Sequence, residues 1–439
     1  MKMHDAHHPI AVFHYLILPL FIVAMLLCSA GPKADEYHYN NILIGDRAAG
    51  MGGAYTGVSD DPAGLYYNPA GIVYAIGSNI SGSMNALHQT NTTYKGALGG
   101  TYNWQRKSSV LFPNYFGVFQ PLGKGKVGFS YAVLDSILED QDQTFKNIPG
   151  TSPAVSTFII NFNNQDSTYN VGPSYAADIN DKLSAGISLY YHIRTQERIN
   201  NQITYVLSDT DYEWTNQYFH TEESGLRPVF GLMWTPRDKI AVGLSLSKTF
   251  IYSSSTEVQN SCIGASTVTY SSSSFCQSDV LNRADYKSDK KKAYPLQLRT
   301  GIAYFPNERL LLSGDLAYNS ATDASLVAAR EAVLNFALGA EYYLNPQWAV
   351  RGGVYSNYAN TPELRTTGVS GIQPEHVDMY GLSLSLSQFS RNSILTFGFT
   401  FMNGDGKAQL FAPDMSGNAG LHDVNISTLT MFLSATYSY

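Results

Sequence analysis

Two adjacent carboxylates, Asp60 and Asp61, are the first residues whose types and spacing suggest chemistry. A carboxylate pair can divide acid and base roles when the environments of its members differ. Asp61 also stands directly before Pro62. That order suits a helix start, because Asp accepts from free amides and Pro fits the first helical position. Capping and hydrogen bonding to a neighbouring wall are the simpler uses of the pair. Cys262 and Cys276 flank 13 residues of a Ser-rich stretch. No His stands near them, which disfavours a metal site. In an oxidising compartment they would form one disulfide, worth about 3 kcal/mol in the loop-entropy estimate. The sequence holds no Gly-x-Ser-x-Gly elbow, no His-Glu-x-x-His, no phosphate loop and no paired-Cys metal knuckle. The chain therefore reads as a non-enzyme without cofactor or metal.

The amino terminus reads as an address. An apolar run from Ala11 to Leu27 follows Lys2 and precedes the small residues Ser29, Ala30 and Gly31. This is the layout of a secretory signal, assigned to residues 1–30. A retained membrane anchor is the alternative, but the run is short for a span and carries His14 and Pro19. Lipid attachment at Cys28 needs a small preceding residue, and Leu27 is not one. His4, His7 and His8 fall within this leader and are given no metal role.

The elements that follow have to account for an unusual composition. Charged residues make up 14% of the 439 residues, against roughly 25% in ordinary domains. Mean hydropathy is nevertheless only -0.14. Gly (37) and Tyr (31) fill much of the difference, and this aromatic content excludes a disordered chain. A single long apolar run excludes a multi-span helical protein. A net charge of -7 argues against a nucleic-acid partner.

The body of the chain alternates with period two. Leu429, Met431, Leu433, Ala435, Tyr437 and Tyr439 share one strand face, and Thr428, Thr430, Ser434, Thr436 and Ser438 share the other. Ile240, Val242, Leu244 and Leu246 alternate with Ala241, Gly243, Ser245 and Ser247 in the same way. A side chain changes face at every strand residue, so each segment has one apolar and one small-polar face. A soluble sandwich gives the same pattern. Connection lengths separate the two. Tight polar turns at Pro121–Lys126, Ile179–Lys182, Pro236–Lys239, Phe305–Arg309, Tyr343–Gln347 and Phe389–Asn392 alternate with long polar stretches. Among these are 89–112, 137–165, 196–224 and 253–293. Short turns at one end and long loops at the other mark an outer-membrane barrel.

The six turns join six strand pairs. One strand within Ser78–His88 precedes them and Ser427–Tyr439 follows, for an expected total of fourteen. The fold class is therefore all-β: a 14-stranded antiparallel transmembrane β-barrel over residues 76–439. Lys95–Trp104 is assigned to the first long loop, which keeps the strand number even, and 202–219 to a hairpin above the membrane. The terminal Tyr437 and Tyr439 suit a membrane interface.

Residues 45–71 read GDRAAGMGGAYTGVSDDPAGLYYNPAG. They are too rich in Gly and Ala for a membrane strand. A short helix is expected near Pro62–Tyr67, with a tight bend at Asn68-Pro69. Small residues such as Gly52 and Gly53 allow close backbone packing, so residues 31–75 could fill the barrel lumen as a plug.

This stretch resembles the hatch of the outer-membrane long-chain fatty acid transporter family (FadL/TodX-like), which also includes aromatic-hydrocarbon uptake channels. The resemblance rests on Ala49-Gly50-Met51-Gly52-Gly53-Ala54-Tyr55, Asp60-Asp61 and Asn68-Pro69-Ala70. Phe112-Pro113-Asn114 and the turn at Pro121 extend it. The resemblance implies a monomeric channel in the bacterial outer membrane, among outer-membrane lipids and lipopolysaccharide. It implies passive uptake of long-chain fatty acids or other hydrophobic small molecules, released sideways through a gap at an inward kink in strand three. Asn68, Pro69 and Ala70 become the hatch element coupled to that opening. Strand three is expected from Val127 to about Ile137, with Asp135 and Ser136 at the kink, although no Gly accompanies Ser136 as in the family. Phe219, Phe250, Ile251 and Tyr252 are candidates for capture. Lys287, Lys290, Lys291 and Lys292 could meet a carboxylate or lipopolysaccharide phosphates, or simply be solvated. The alternative function is an outer-membrane barrel that binds or shuttles protein partners in secretion or assembly, without moving lipid. A general porin is the third reading, and the Gly-rich segment argues against it.

Overall fold

The computed structural model describes residues 37–149, 155–206, 211–265, 280–323, 329–410 and 417–439. The expected signal segment 1–30 lies outside them. The first strands are β1 (Asn79–Leu98), β2 (Tyr102–Leu122), β3 (Gly125–Ile148) and β4 (Val155–Asn180). Then come β5 (Leu183–Val206), β6 (Asp211–Arg237), β7 (Ile240–Lys248), β8 (Phe250–Ala265) and β9 (Asn282–Ser288). The rest are β10 (Leu296–Asn307), β11 (Leu310–Asn319), β12 (Val333–Asn345), β13 (Trp348–Asn357), β14 (His376–Phe389), β15 (Ser393–Ala408) and β16 (His422–Ser438).

All pairings between neighbours are antiparallel. β1 bonds to β16 and β5 bonds to β6, so the sheet closes on itself. β7 pairs directly with β10, which leaves β8 and β9 outside the ring. The closed barrel therefore has 14 strands, the number expected from the turns. β6 serves two partners: residues 229–237 pair with β7, while 212–226 pair with β8. Each of the six tight turns falls between the two strands it was expected to join.

Burial shows which face meets lipid. Leu244 and Leu246 are 41% and 38% exposed, whereas Ser245 and Ser247 between them are 4% and 6% exposed. The apolar face points outward and the small-polar face inward, the reverse of a sandwich. Tyr437 and Tyr439 stand exposed on the outer face with their rings stacked.

Two of the expected loops prove to be strand, and the hairpin expected at 202–219 is present as an extension of β5 and β6. The β1–β2 ladder runs on to Leu98–Tyr102, β3–β4 to Ile148–Val155, and β5–β6 to Tyr205–Tyr212. Lys95–Trp104 is thus neither a separate strand nor an irregular loop but the tip of the first hairpin. Above the membrane a strand needs no apolar face, and Thr, Asn, Gln and Tyr ladders are held by cross-strand pairs. Loss of apolar alternation in 89–112, 137–165 and 196–224 therefore signalled departure from lipid, not the end of the strand.

The amino-terminal segment contains short helices at Asp46–Gly50 and Gly64–Tyr67, and a 3₁₀ turn at Pro69–Tyr74. Its hydrogen bonds reach Asn114 and Tyr115 on β2, Ser184 and Tyr190 on β5, Asp315 on β11 and Ser383 on β14. The segment is thus bonded to strands spread around the closed ring. Its strongest tie is ionic. Arg47 grips Glu341 of β12 with two bonds of 2.9 Å and Asp60 at 2.5 Å, and Arg351 of β13 holds the same Glu341 at 2.5 Å. Glu341 is 1% exposed and Arg351 2%. Removing one partner of a buried ion pair leaves the others uncompensated, at about 3–5 kcal/mol. Glu341→Gln is therefore expected to lower the stability of the purified barrel by about that amount, read from its denaturant midpoint. Asp423→Asn, which breaks the exposed Lys407–Asp423 pair, is expected to leave the midpoint unchanged.

Candidate functional site

Asn68 is fully buried and makes three ordered contacts. Its Nδ2 donates to Thr56 O at 3.0 Å and to Leu232 O of β6 at 2.9 Å, and its Oδ1 accepts from Ala70 N at 3.2 Å. It caps the 3₁₀ turn that Pro69 begins, and it fastens that turn to the wall. The wall answers with glycine. A Cβ on Gly186 would lie 2.6 Å from Ala70 N, on Gly231 2.2 Å from Asn68 Oδ1, and on Gly243 1.9 Å from Thr56 O. Gly186 pairs with Gly231, and Gly243 with Gly301, across their seams. Further round, Gly339 and Gly353 pair under Met51. The inner wall thus carries a band of paired glycines along which the amino-terminal backbone lies in direct contact. Gly52 and Gly53, with φ of 67° and 84°, turn the chain against this band.

Asp60 and Asp61 part company. Asp60 pairs with Arg47, while Asp61 Oδ1 accepts from Ala63 N at 2.8 Å. The pair is structural in this geometry. Burial raises the Asp61 carboxyl to about 6, and the nearby Arg47 only partly offsets that.

The ladder between β2 and β3 is interrupted. Their ladder runs from Leu122–Gly125 up to Tyr115–Ala132 and then stops, except for one pair at Ser108–Glu139. Residues 109–114 and 133–138 have no ladder partners across this seam. Higher up, side chains do the joining: Tyr102 Oη donates to Lys146 O at 2.9 Å and Gln141 Nε2 to Lys107 O at 3.2 Å. β3 carries a bulge between Val133 and Asp135 in its register with β4. The extra residue, Leu134, is where the strand changes phase. Asp135 and Ser136 sit on the lip of this window, and β3 itself continues well past Ile137 to Ile148.

The far lip is Phe112-Pro113-Asn114. Pro113 brings no amide to leave unpaired. Asn114 turns inward and holds the amino-terminal segment, accepting from Gly45 N at 2.9 Å and donating to Leu43 O at 3.1 Å. Across the window Asn41 Nδ2 donates to Asp135 Oδ2 at 3.2 Å. Residues 41–45 therefore run behind the opening and are bonded to both lips.

A cavity of about 130 Å³ adjoins this lip, lined by Leu134, Asp135, Tyr66, Arg227, Tyr294 and Arg330 among others. A smaller one of about 40 Å³ shares Leu134 and Tyr66 with it. On the extracellular side a third, of about 280 Å³, is lined by Tyr94, Trp104, Arg106 and Phe162 and shares Asp166 with the first. Stacked Tyr94 and Trp104, with Arg106 over Phe162 at 5.0 Å, give it an aromatic wall. The first cavity thus shares lining residues with each of the other two.

Some expected residues lie elsewhere. Phe250 and Tyr252 are exposed on the outer surface, and Phe219 stands on the extended part of β6 beneath Arg198. The basic cluster divides: Lys287 pairs with Glu257 at the surface, whereas Lys292 is buried and lines the first cavity. Cys262 is buried on β8, and Cys276 lies outside the described residues, as does the pairing expected of them. Sequence reasoning missed the wall glycines, Arg227 and Arg330. The recurrence of inward-facing Gly a few residues from each tight turn was the available signal. Among the described residues no group of His, Cys, Asp and Glu could hold a metal ion.

No family model and no curated protein matches the sequence. Solved structures do match in fold. A FadL homologue from Pseudomonas aeruginosa superposes with a TM-score of 0.64 at 15% identity, covering 93% of this chain and 100% of the other. The toluene transporter TodX of P. putida gives 0.63 at 14%, covering 92% and 99%. The monoaromatic hydrocarbon channel CymD gives 0.60 at 15%, covering 91% and 99%. With the closed ring and its apolar outer face, this likeness puts the chain among bacterial outer-membrane β-barrels.

Two outcomes follow for the amino-terminal segment. Gly243→Val places carbon where Thr56 O lies, so it is expected to dislodge the Asn68 contacts and raise single-channel conductance in planar bilayers severalfold. Asp61 behaves oppositely to most carboxylates. Its folded value of about 6 exceeds the ordinary 3.8, so the folded state holds the proton more tightly. Stability then falls as pH rises from about 4 to 6 and stays reduced above that. Asp61→Asn is expected to flatten this part of the pH–stability curve and to raise the thermal midpoint at pH 8 but not at pH 4.

Proposed function

We propose that this chain is an outer-membrane channel for passive uptake of long-chain fatty acids or other hydrophobic compounds, belonging with the FadL/TodX-like transporters. It performs no chemistry on its cargo. Residues 1–30 direct export, 31–75 form the hatch, and 76–439 form the barrel, which works as a monomer. Cargo collects at the aromatic cavity beneath the outer rim, where the lipopolysaccharide layer ends. It passes to the cavity beside Leu134 and leaves sideways into the outer-membrane lipid between β2 and β3.

The observation that carries this reading is the interrupted β2–β3 ladder standing beside a lumenal cavity. Outside the window the wall is apolar, with Leu111 and Leu138 exposed. A hydrophobic solute gains about 0.8 kcal/mol for each methylene kept from water, so a side exit into lipid is favoured over passage through the periplasm. In this reading Asn68, Pro69 and Ala70 hold the hatch on the wall while residues 41–45, bonded to both lips, give way. The likeness to the toluene and monoaromatic hydrocarbon channels supports a hydrophobic cargo.

Joining the lips tests the proposal. Val110→Cys with Ile137→Cys, bridged by a short bis-methanethiosulfonate reagent that reductant cleaves, is expected to reduce oleate and toluene uptake to that of cells lacking the protein. Cleavage should restore it. Undiminished uptake in the bridged protein would reject lateral exit. Equal uptake with and without the protein, where transport is limiting, would reject the channel itself.

A further inference from the structure

The cavity beside Leu134 is more polar and more cationic than a hydrocarbon site requires. One of its cations, Arg194, is satisfied by Asp166, with bonds of 3.1 and 2.6 Å. Tyr294 Oη donates to Glu223 at 2.8 Å, so that carboxylate is engaged as well. Two guanidinium groups are left over. Arg330 is 7% exposed, its Nη2 has no hydrogen-bond partner, and no carboxylate of the described residues pairs with it. Arg227 is held only by neutral acceptors, Ser247 Oγ at 3.3 Å and Gln297 Oε1 at 3.0 Å, and its Nε has no partner. Buried cations without counter-charge are costly, and their planar forks match carboxylates in particular.

The space is also small. At about 130 Å³ it is close to the roughly 150 Å³ of an engineered cavity that holds one benzene ring. Its walls offer ring faces. Tyr66 lies 5.4 Å beneath Arg227, and Tyr294 packs edge-on against His192 at 5.2 Å. Leu134 and Pro295 add apolar surface.

We infer that this cavity selects compact aromatic acids, with the carboxylate between Arg227 and Arg330 and the ring against Tyr66. The inference rests on the channel reading for its physiological meaning, but binding to the site is independent of lateral exit. Neutral hydrocarbons lack the group that the two guanidiniums would bind. A long alkyl acid presents the same head group, but its tail extends past this cavity and gains no contact with the Tyr66 ring.

Equilibrium binding to the purified full-length barrel in detergent tests this, with benzoate, toluene and decanoate as probes at pH 7. Benzoate is expected to saturate one site and to bind at least about tenfold more tightly than either of the others. Arg227→Gln and Arg330→Gln should each weaken benzoate by about tenfold and leave toluene unchanged. Arg330→Lys, which keeps the charge, should recover part of the loss and so separates charge from misfolding. Toluene binding as tight as benzoate, or Gln variants that bind benzoate normally, would overturn the inference. Decanoate binding tighter than benzoate would overturn it as well, by removing the ring. The two readings fail separately. If benzoate does not bind while bridging 110 to 137 still blocks uptake, only this inference falls. If benzoate binds and bridging has no effect, lateral exit falls and the acid site stands.

Discussion

A strand wall in lipid has to satisfy its own backbone. No water within the hydrocarbon offers a partner, so each unpaired amide or carbonyl there costs several kcal/mol. Closure of the fourteen-stranded ring meets this demand at nearly every seam. The β2–β3 seam does not, and the surrounding structure reads as compensation for that lapse. Pro113 has no amide to leave bare. Ser108 Oγ accepts from Leu138 N at 2.9 Å in place of a ladder carbonyl. Higher up, Gln141 and Tyr102 reach carbonyls that the opposite backbone does not. Behind the opening, residues 41–45 bond to Asn114 on one lip and Asp135 on the other. So many separate local repairs mark the interruption as a built feature.

The amino-terminal segment divides into two parts that are held differently. Residues 46–72 are fixed by close contact, since paired wall glycines let backbone lie on backbone and Glu341 binds arginines from both partners. Side chains interposed at Gly186, Gly231 or Gly243 would push this part away from the wall. Residues 41–45 are held by hydrogen bonds to Asn114, Asp135, Tyr67 and Asn357 and by the buried side chains of Ile42 and Ile44. The two parts thus meet the wall by different means, one through backbone contact and the other through side-chain hydrogen bonds and buried isoleucines.

Legibility in the sequence followed the range of the interaction. The tight turns, the terminal Tyr strand and the bend at Asn68-Pro69 depend on residues within a few positions of one another, and all three could be read. Asp61 was read as a helix cap, but the helix begins at Gly64 with Ala63 as its cap, and Asp61 bonds to Ala63 N instead. Strand ends were misread above the membrane because apolar alternation reports lipid, and β1, β3 and β5 continue where lipid does not. The window at 109–114 and 133–138 depends on register between two strands, and only Asp135 and Ser136 hinted at it. The glycine band was harder still, because its members are paired across seams and face a segment far away in the chain. Lys292 shows the same limit: it lies within five residues of three other lysines, one of them the surface residue Lys287, yet it lines the first cavity.

Lumen polarity sets the last constraint. A barrel interior built of Ser, Thr and Gly is a poor solvent for a hydrocarbon, so the apolar part of a route has to be made from whatever else enters the ring. Here the strands supply part of it, including Tyr94, Trp104, Phe162 and Phe336. Tyr66 and Ile42 come from the amino-terminal segment, and Leu134 comes from the bulge. Leu134, the extra residue of the β3 bulge, thus lines two of the cavities. Irregular register surrounds the interrupted seam on both sides, since β2 shifts against β1 opposite Phe112–Asn114 as β3 shifts against β4 at Leu134. The interruption and the apolar lining beside it therefore fall at the same level of the wall, where residues 41–45 bond to β2 and β3.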